Sequence, residues 1–303
     1  MKSKLIKYGA LLLACIALAF VAVAPMQTVT VDRLDWMANL SDDTSLNSLT
    51  IPGTHDSGAL HSIADVAGKC QTLSVKQQLK AGVRFLDIRL RLVNNQLRVV
   101  HSFVDQMTDF DDVLCDIVSF VANHPSEFLL VSIKEDNSPQ KSDKAFEEVL
   151  EEMLLAHDEV STLQSLPQTV GEARGKIHVI ARYYNASIGL PCYFGWQDDT
   201  SFVLDGIYVQ DNYNVPTVEE KLSDVHNAYQ VALAKQHALV LNYTSCYLAE
   251  GFPPIYAGLP AHDVNADTQE TMSTQYGNGP LGVVVCDFVT TKLADAIIGR
   301  NFR

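Results

Sequence analysis

The chain has 303 residues, of which 47% are hydrophobic, and a formal net charge of −14. A chain of this size suits one α/β domain of about 250–280 residues better than two small domains. So acidic a protein is not held on nucleic acid or on anionic membranes by its overall field. Nucleic acid is therefore excluded as a partner, and any attraction of an anionic ligand must be local.

The first 24 residues have the composition of an export signal. Three lysines lie within the first seven residues, and an uncharged apolar stretch follows from Tyr8 to Ala24. A basic start, an apolar middle and small residues at the end are typical of a signal peptide, with candidate cleavage sites after Ala19 and Ala24. We therefore predict a signal peptide at 1–24, one folded domain at 25–303, and a secreted or periplasmic protein. The alternative is an uncleaved membrane anchor.

Short apolar runs alternate with amphipathic segments along the rest of the chain. The apolar runs predict strands at Leu49–Pro52, Arg84–Ile88, Leu97–Val100, Phe128–Ile133, Ile177–Ala181, Gly206–Val209, Leu239–Asn242 and Gly282–Cys286. The amphipathic segments have 3.6-residue spacing and predict helices at Ser74–Ala81, Phe110–Asn123, Ser142–Ala156, Thr217–Gln236 and Thr291–Gly299.

This alternation predicts a parallel sheet covered by helices, and about eight strands in one domain indicate a TIM-type (β/α) barrel. The spacing is irregular, and Asn94-Asn95 predicts a hairpin turn where a regular barrel would have a helix. We therefore expect an α/β fold that is a distorted or incomplete TIM-type barrel. The segments Ser102–Asp109 and Tyr183–Asp205 are predicted to be loops.

Five cysteines lie outside the leader, and none belongs to a C-x-x-C or C-x-x-H pair, so a zinc site of that type is not predicted. Export would permit disulfides, and Cys192 and Cys246 lie in loop-like stretches where they could pair. Cys115 and Cys286 lie in apolar segments and are predicted to be buried thiols.

Polar residues follow the predicted strands, at the ends that converge on one mouth in a barrel. They are His55, Asp56, Asp87, Arg89, His101, Lys134, Arg182, Asp211, Tyr213 and Asp287. Two histidines can act as a base and an acid near neutral pH, because their unperturbed pKa is about 6.5, and a guanidinium can hold a phosphate. The set therefore suits phosphodiester chemistry without a metal.

The same stretches carry a family resemblance from Leu46 to the C-terminus. The pieces that carry it are IPGTHDSG at 51–58, CQ at 70–71, VKQQLKAGVRFLDIRLR ending at 91, VVH at 99–101, NHPSEFLLVSIKE at 123–135, GKIHVIAR at 175–182, YVQDNYNVPTVEEK at 208–221, LNYTS at 241–245 and VVCDFV at 284–289. In this order and spacing, the chain resembles the bacterial phosphatidylinositol-specific phospholipase C family. The resemblance implies a catalytic barrel at 25–303.

The resemblance also implies roles for the histidines. His55 resembles the general base that takes the proton from the inositol 2-hydroxyl, and Asp287 resembles its orienting partner. His101 resembles the general acid that protonates the diacylglycerol leaving oxygen, with Asp56 assisting it. The products would be diacylglycerol and inositol 1,2-cyclic phosphate, which would make the enzyme a phosphorus–oxygen lyase.

Arg89 occupies the position that distinguishes the metal-independent members of the family, in which an arginine clamps the phosphate. In calcium-dependent relatives a carboxylate stands there, and calcium needs several such oxygen ligands. The resemblance therefore implies no metal and no cofactor. Asp87 is expected to hold Arg89 or His101 in place.

The resemblance assigns inositol binding to Lys134, Arg182, Asp211 and Tyr213. Charged side chains suit the vicinal hydroxyls, and a tyrosine ring suits the sugar face. The chain departs from the family at Ser102, where a glycine is usual after the acid histidine, so the shape of the loop that follows is in question.

Aromatic residues in Pro/Gly-bearing loops are candidates for peripheral membrane contact, in particular Phe194, Trp196 and Phe252. The alternative is a loop that covers its own apolar residues. Expected partners are phosphatidylinositol and glycosylated inositol-lipid anchors, and a monomer is expected. Two other functions stay open: a phosphodiesterase for a soluble inositol phosphodiester, and a catalytically silent inositol- or sugar-binding barrel.

Overall fold

The computed structural model describes residues 32–62, 68–248 and 258–303, which lie within one structural unit, Val31–Arg303. The predicted signal peptide at 1–24 and the predicted membrane contact Phe252 lie outside the described residues. The domain boundary at 24/25 therefore stays a prediction. Within the described residues, no helix combines the length and the apolar composition needed to cross a bilayer.

Strands and helices alternate through most of the described chain. The strands are β1 (Thr50–Thr54), β2 (Phe85–Val93), β3 (Gln96–His101), β4 (Val104–Asp109), β5 (Leu129–Gln140), β6 (Ile177–Arg182), β7 (Leu190–Pro191), β8 (Ser201–Leu204), β9 (Ile207–Gln210), β10 (Asn214–Val215), β11 (Leu239–Tyr243), β12 (Tyr247–Leu248) and β13 (Gly282–Cys286). The α-helices are α1 (Val75–Lys80), α2 (Phe110–Asn123), α3 (Phe146–Leu155), α4 (Val170–Ala173), α5 (Val218–Ala234), α6 (Gly258–Thr274) and α7 (Thr291–Gly299). Short 3₁₀ turns lie at Trp36–Asn39, Leu46–Ser48 and Arg300–Phe302.

The main sheet has the strand order β7-β6-β5-β2-β1-β13-β11-β9-β8. Neighbouring strands from β7 to β9 are parallel, and β8 is antiparallel to β9. Within the described residues β7 and β8 do not pair with each other, so the barrel is open between them. The expected distorted or incomplete TIM-type barrel is therefore confirmed.

β3 and β4 extend the sheet beside β2, and the sequence predicted this part of the sheet only in part. β2 and β3 form an antiparallel hairpin, and its turn residues Asn94 and Asn95 have φ of 52° and 60°. This is the left-handed pair that a two-residue hairpin turn requires, as predicted. The segment Ser102–Asp109, however, is not a loop, because its residues 104–109 pair with β3 as β4.

All eight predicted strands and all five predicted helices are present, some with shifted ends. The helix α6 was not predicted, because it has no apolar stripe: its buried positions include the small or hydroxyl-bearing residues Ala261, Thr268 and Thr271. The stretch Tyr183–Asp205, predicted to be a loop, contains the short strands β7 and β8.

Alternate residues of the central strands fill two separate cores. Phe85, Leu130 and Ile180 belong to the cluster inside the barrel, which also includes Ile51 and Val283 from β1 and β13. The residues next to them in sequence pack outward under the helices. Strand side chains alternate with a period of two, so later residues in the same phase also point into the barrel.

The five cysteines in the described residues are all free. The predicted pairing of Cys192 with Cys246 is wrong: Cys192 is packed in the core inside the barrel, and Cys246 lines the cavity described below. Cys115 is exposed rather than buried, because it lies on the solvent side of α2. Cys286 is buried, as predicted.

A buried ion pair fastens the N-terminal segment to the amino ends of the strands. Arg84 and Glu127 have fully buried side chains and approach to 2.8 Å. The Arg84 guanidinium also donates to the carbonyls of Arg33 and Leu34 at 2.9 and 2.8 Å, and it lies 4.5 Å from the ring of Phe120. Every donor direction has an acceptor, which is the condition under which a buried charge is tolerated.

We expect Glu127→Gln to lower the free energy of unfolding by about 3–5 kcal/mol, because it leaves the buried Arg84 charge unpaired. Urea unfolding followed by circular dichroism measures the effect. The matched control is Asp295→Asn, which breaks the exposed 2.6 Å pair with Arg33 and should cost about 1 kcal/mol or less. Equal losses in the two variants would contradict the assignment.

Candidate active site

A cavity of about 470 Å³ lies at the carboxyl ends of the strands. Eight of the ten polar residues predicted from the sequence line it: His55, Arg89, His101, Lys134, Arg182, Asp211, Tyr213 and Asp287. The other two, Asp56 and Asp87, are fully buried behind them. The structure therefore brings the whole predicted set together.

The alternation of the strands explains how the set reaches the cavity. Asp87 and Arg89 continue the inward phase of Phe85 along β2, and Lys134 continues the inward phase of Leu130 along β5. Arg182 does the same after Ile180 on β6. The lower part of each strand thus supplies the apolar core, and its carboxyl end supplies the polar site.

His55 is held at the end of β1 by contacts to its backbone and its ring. Its backbone N–H donates to the carbonyl of Cys286 at 3.0 Å, and the Gln71 amide donates to both carbonyls, of His55 and Cys286, at 2.8 Å. The ring Nδ1 lies 2.8 Å from Asp287 Oδ1, and Nε2 lies 2.8 Å from Arg89 Nη2. Because the guanidinium can only donate, Nε2 is the accepting nitrogen and Nδ1–H faces Asp287.

The environment of His55 sets its pKa. Burial and the nearby Arg89 charge lower the pKa of His55, but the charge and hydrogen bond of Asp287, together with the charge of Asp87, outweigh them, so the pKa is raised. The Asp287 carboxylate thus fixes the tautomer and stabilises the imidazolium that forms when Nε2 takes a proton. This is the arrangement of a general base.

His101 and Asp56 form a second pair across the cavity. His101 Nε2 lies 3.6 Å from Asp56 Oδ2. Burial raises the pKa of Asp56 to about 7 against the opposing effect of Arg89, and burial together with Arg89 lowers the pKa of His101 to about 4. In the free protein one proton is therefore shared within the pair near neutral pH, with the carboxyl as its main holder. A bound anion would offset the charge of Arg89 and favour the proton on His101.

Arg89 lies between the two pairs. Its guanidinium contacts Asp87 Oδ2 at 3.2 Å and Asp56 Oδ2 at 3.6 Å, and these carboxylates raise its pKa even though burial opposes them. Asp87 also accepts from Arg182 Nη1 and Ser132 Oγ, both at 3.3 Å. The charges of Arg89 and Arg182 outweigh the burial of Asp87 and hold its pKa well below the usual range. Asp87 holds Arg89, one of the two partners expected from the sequence.

The predicted inositol-binding residues line the same cavity beside Arg89. The ring of Trp196 stacks on the Arg182 guanidinium at 3.8 Å, and the Tyr213 hydroxyl donates to Asp198 at 2.9 Å. Asp211 is buried, which raises its pKa although Arg182 opposes the shift. These residues offer cationic, anionic and aromatic groups to a polyhydroxylated ring.

Sequence reasoning missed Asp136, which lies two residues after Lys134 in the same inward phase. Its carboxylate accepts from Lys134 Nζ at 2.6 Å and from the backbone N–H of Ser102 at 2.7 Å. The phase of β5 could have identified it. Three residues of the segment after β11 were also missed, Ser245, Cys246 and Tyr247, and only the path of that segment brings them to the cavity.

Ser102, the departure from the family pattern, has a left-handed backbone with φ of 53°. Glycine adopts this conformation without strain, and most other residues do not. Here Asp136 binds the Ser102 N–H, and the Asn137 amide donates to the Ser102 carbonyl. These two contacts hold the strained residue directly after His101.

The predicted membrane contacts divide into three cases. Phe194 is 86% exposed and forms an edge-to-face cluster with the exposed rings of Tyr184 and Tyr193, at centroid distances of 5.1–5.8 Å. Trp196 is partly buried and packs on Arg182 and Phe202, and its contact with a membrane stays a prediction. Phe252 lies outside the described residues.

Fold and site together define a (β/α) barrel with two imidazole–carboxylate pairs and an arginine at its mouth. The model of the family described as phosphatidylinositol-specific phospholipase C, X domain, matches residues 49–183. The 1-phosphatidylinositol phosphodiesterase of Listeria monocytogenes is 27% identical over 287 residues, covering 90% of this chain and 86% of the relative. The enzyme of the same name from Staphylococcus aureus strain Newman is 29% identical over 206 residues, covering 64% and 65%.

Solved structures of two bacterial phospholipases C have a fold similar to that of this chain. A structure of the S. aureus phosphatidylinositol-specific phospholipase C is 25% identical with a TM-score of 0.74, covering 88% of this chain and 97% of that one. The Listeria structure, 24% identical with a TM-score of 0.71, covers 89% and 99% and shares the fold. The family-model match and these relatives together support placing the chain with the bacterial phosphatidylinositol-specific phospholipases C.

We expect Asp287→Asn to lower the pKa of His55, because it removes the carboxylate that raises it against burial. An NMR titration of the imidazole signals of the full chain measures the change. The matched control is Asp263→Asn, which alters a surface pair with His262 and should leave the His55 titration as it is. An unchanged His55 titration in Asp287→Asn would refute the proposed coupling.

Proposed function

We propose that this protein is a phosphatidylinositol-specific phospholipase C that converts phosphatidylinositol to diacylglycerol and inositol 1,2-cyclic phosphate. The observation that carries the proposal is the contact of one base, His55 Nε2, with the guanidinium of Arg89 at 2.8 Å. A phosphate bound by Arg89 would place its neighbouring inositol hydroxyl beside that base. The family-model match and the named relatives support the same reaction.

In the first half of the reaction, His55 Nε2 accepts the proton of the inositol 2-hydroxyl, and Asp287 stabilises the imidazolium. The hydroxyl oxygen forms a bond to phosphorus. Arg89 neutralises the charge that builds on the non-bridging phosphate oxygens, a role in which a fixed donor is worth about 10²–10³ in rate. No step requires a metal ion, because the Arg89 guanidinium binds the phosphate that a metal ion would otherwise bind.

In the second half, the bond from phosphorus to the glycerol oxygen breaks, and its electron pair leaves with that oxygen. The proton held by His101 and Asp56 passes to the leaving oxygen, giving the free hydroxyl of diacylglycerol. The imidazolium of His55 and the deprotonated acid pair then return to their starting states by exchanging protons with water. The cyclic phosphate keeps the inositol oxygens at positions 1 and 2.

Recognition of the head group is assigned to the cavity wall formed by Lys134, Arg182, Asp211 and Tyr213. Asp136 joins this set, because it lines the same cavity and orients Lys134 at 2.6 Å. Glycosylated inositol-lipid anchors present the same phosphodiester and a free 2-hydroxyl, and we include them among the substrates. The protein acts as a monomer outside the cytoplasm, and its leader is a signal peptide.

Hydrolysis of phosphatidylinositol in detergent micelles with EDTA present tests the reaction, with ³¹P NMR identifying the product. We expect the cyclic phosphate from the parent protein, and a rate lowered about 10²–10⁴-fold in His55→Ala and at least 10²-fold in Arg89→Ala. The matched controls are His262→Ala and Arg98→Ala, at surface ion pairs, which should keep the parent rate. A folded parent protein that leaves the lipid intact would contradict the proposed function.

The exposed cluster of Phe194, Tyr184 and Tyr193 is proposed as a membrane contact. Its rings lie in the segment between β6 and β8, which also supplies Asp198 to the cavity. The S. aureus structure comes from work on modulation of membrane binding of that enzyme. Exposed aromatics next to the cavity favour a lipid substrate over a soluble inositol phosphodiester.

We expect Phe194→Ala to weaken partitioning onto phosphatidylcholine vesicles containing phosphatidylinositol by about tenfold, since burying such a ring is worth about 1.5–3 kcal/mol. Vesicle sedimentation measures the partitioning, and turnover of a short-chain monomeric substrate should stay constant. The matched control is Leu155→Ala, an exposed apolar residue at the C-terminal end of α3 that does not line the cavity. Equal partitioning of both variants and the parent would remove the cluster from the membrane interface.

A further inference from the structure

Cys70 is a buried residue that lines the cavity, and the reaction above does not use its thiol. Its backbone N–H donates to the carbonyl of Ala59 at 2.9 Å, and its carbonyl accepts from the N–H of Phe288 at 2.8 Å. These contacts tie it to the turns after β1 and β13. Its Sγ, a carboxylate oxygen of Asp56 and a ring nitrogen of His101 all lie within 4.8 Å of one another.

The two partners of this thiol have unused binding capacity. Asp56 is fully buried, and in the part of the chain that the structure describes neither of its carboxylate oxygens has a hydrogen-bond partner. The buried Nδ1 of His101 has none either. A buried carboxylate without donors is costly, and it is normally satisfied by a proton, a donor or a cation.

We propose that Cys70, Asp56 and His101 form a binding site for Zn²⁺, and that zinc bound there switches the enzyme off. Thiolate, imidazole and carboxylate are the three ligand types that zinc takes in proteins. Ligand atoms around tetrahedral zinc lie about 3.3–3.8 Å apart, so the side chains need to close by about 1 Å. A water molecule would complete the four ligands.

A second set of groups shares the same thiol: His55, Cys70 and Asp287. It is the weaker candidate, because His55 Nδ1 and Asp287 Oδ1 already bind each other at 2.8 Å. Binding at the first set converts the thiol to a thiolate and displaces the proton shared by Asp56 and His101, and both protons pass to solvent. The positive charge of Arg89, 3.6 Å from Asp56, opposes the ion, and the new thiolate together with Asp56 offsets it.

Zinc would inhibit the reaction because it would bind two residues that the reaction needs. His101 and Asp56 hold the proton for the leaving oxygen, and a metal on both removes that proton and the lone pairs that carry it. This consequence rests on the proposed function, whereas the binding site itself does not. Zinc is thus distinct from a catalytic metal, and chelation should preserve or restore the rate.

Direct binding is measured first, with Co²⁺ as a spectroscopic probe for zinc on the full chain. A thiolate ligand gives cobalt an intense near-ultraviolet charge-transfer band. We expect the band in the parent protein, its displacement by Zn²⁺, and its loss in Cys70→Ser and Cys70→Ala. Asp56→Asn should weaken cobalt binding at least tenfold, because a carboxamide is a poor ligand for the ion.

Two other thiols serve as matched controls. Cys115→Ser alters an exposed thiol on α2, and Cys246→Ser alters the other thiol that lines the cavity. Both should keep the cobalt band. Absence of the band in the folded parent, or its persistence in folded Cys70→Ser or Cys70→Ala, would overturn the site, whatever the activity of the protein.

Inhibition is then measured as the zinc concentration that halves the micelle rate, with each variant normalised to its own rate in EDTA. We expect Cys70→Ser to raise this concentration at least tenfold and Cys115→Ser to leave it unchanged. Equal zinc sensitivity of the parent and Cys70→Ser would overturn the inhibitory role. If the parent is inactive in EDTA, the proposed function fails, and the cobalt measurement still decides the binding site.

Discussion

The buried carboxylate of Asp87 is the contact on which the site depends. It lies behind the cavity and binds Arg89 at 3.2 Å and Arg182 at 3.3 Å, so β2 and β6, the strands on either side of β5, present cations in fixed positions. Its Oδ2 also accepts from the backbone N–H of Asp56 at 3.2 Å, which holds the turn between the two histidine pairs. Without this anion, the guanidinium groups would repel each other in a dry environment.

The same arrangement gives the two histidine side chains of the site different pKa values. His55 lies against Asp287, which raises its pKa, whereas His101 is left with burial and Arg89, which lower its pKa to about 4. Environments that shift the pKa values of two titratable groups in opposite directions give them different roles in proton transfer. The thiol of Cys70 lies close to both pairs, and so the groups that serve the reaction also offer ligands to a soft cation.

Much of the fold and most of the site could be predicted from the sequence because both depend on local patterns. Apolar runs identified every central strand, and the polar residue after each run marked the barrel mouth. Helix α6 was missed because it buries small and hydroxyl-bearing residues, which lack the apolar stripe of an amphipathic helix. Cys115 was misplaced because the exposure of one side chain depends on which neighbours cover it.

The sequence by itself determined the order of the strands along the chain, the position of Asp87, Arg89 and Lys134 at strand ends, and the family that these motifs resemble. Backbone periodicity and residue type act over a few positions, so they can be read without knowledge of the fold. Only the tertiary structure decided which groups meet: Asp287 with His55, Asp56 with His101, and the thiol of Cys70 with both pairs. These contacts join residues far apart in the chain, and burial and distance, which set their pKa values, exist only once the barrel has formed.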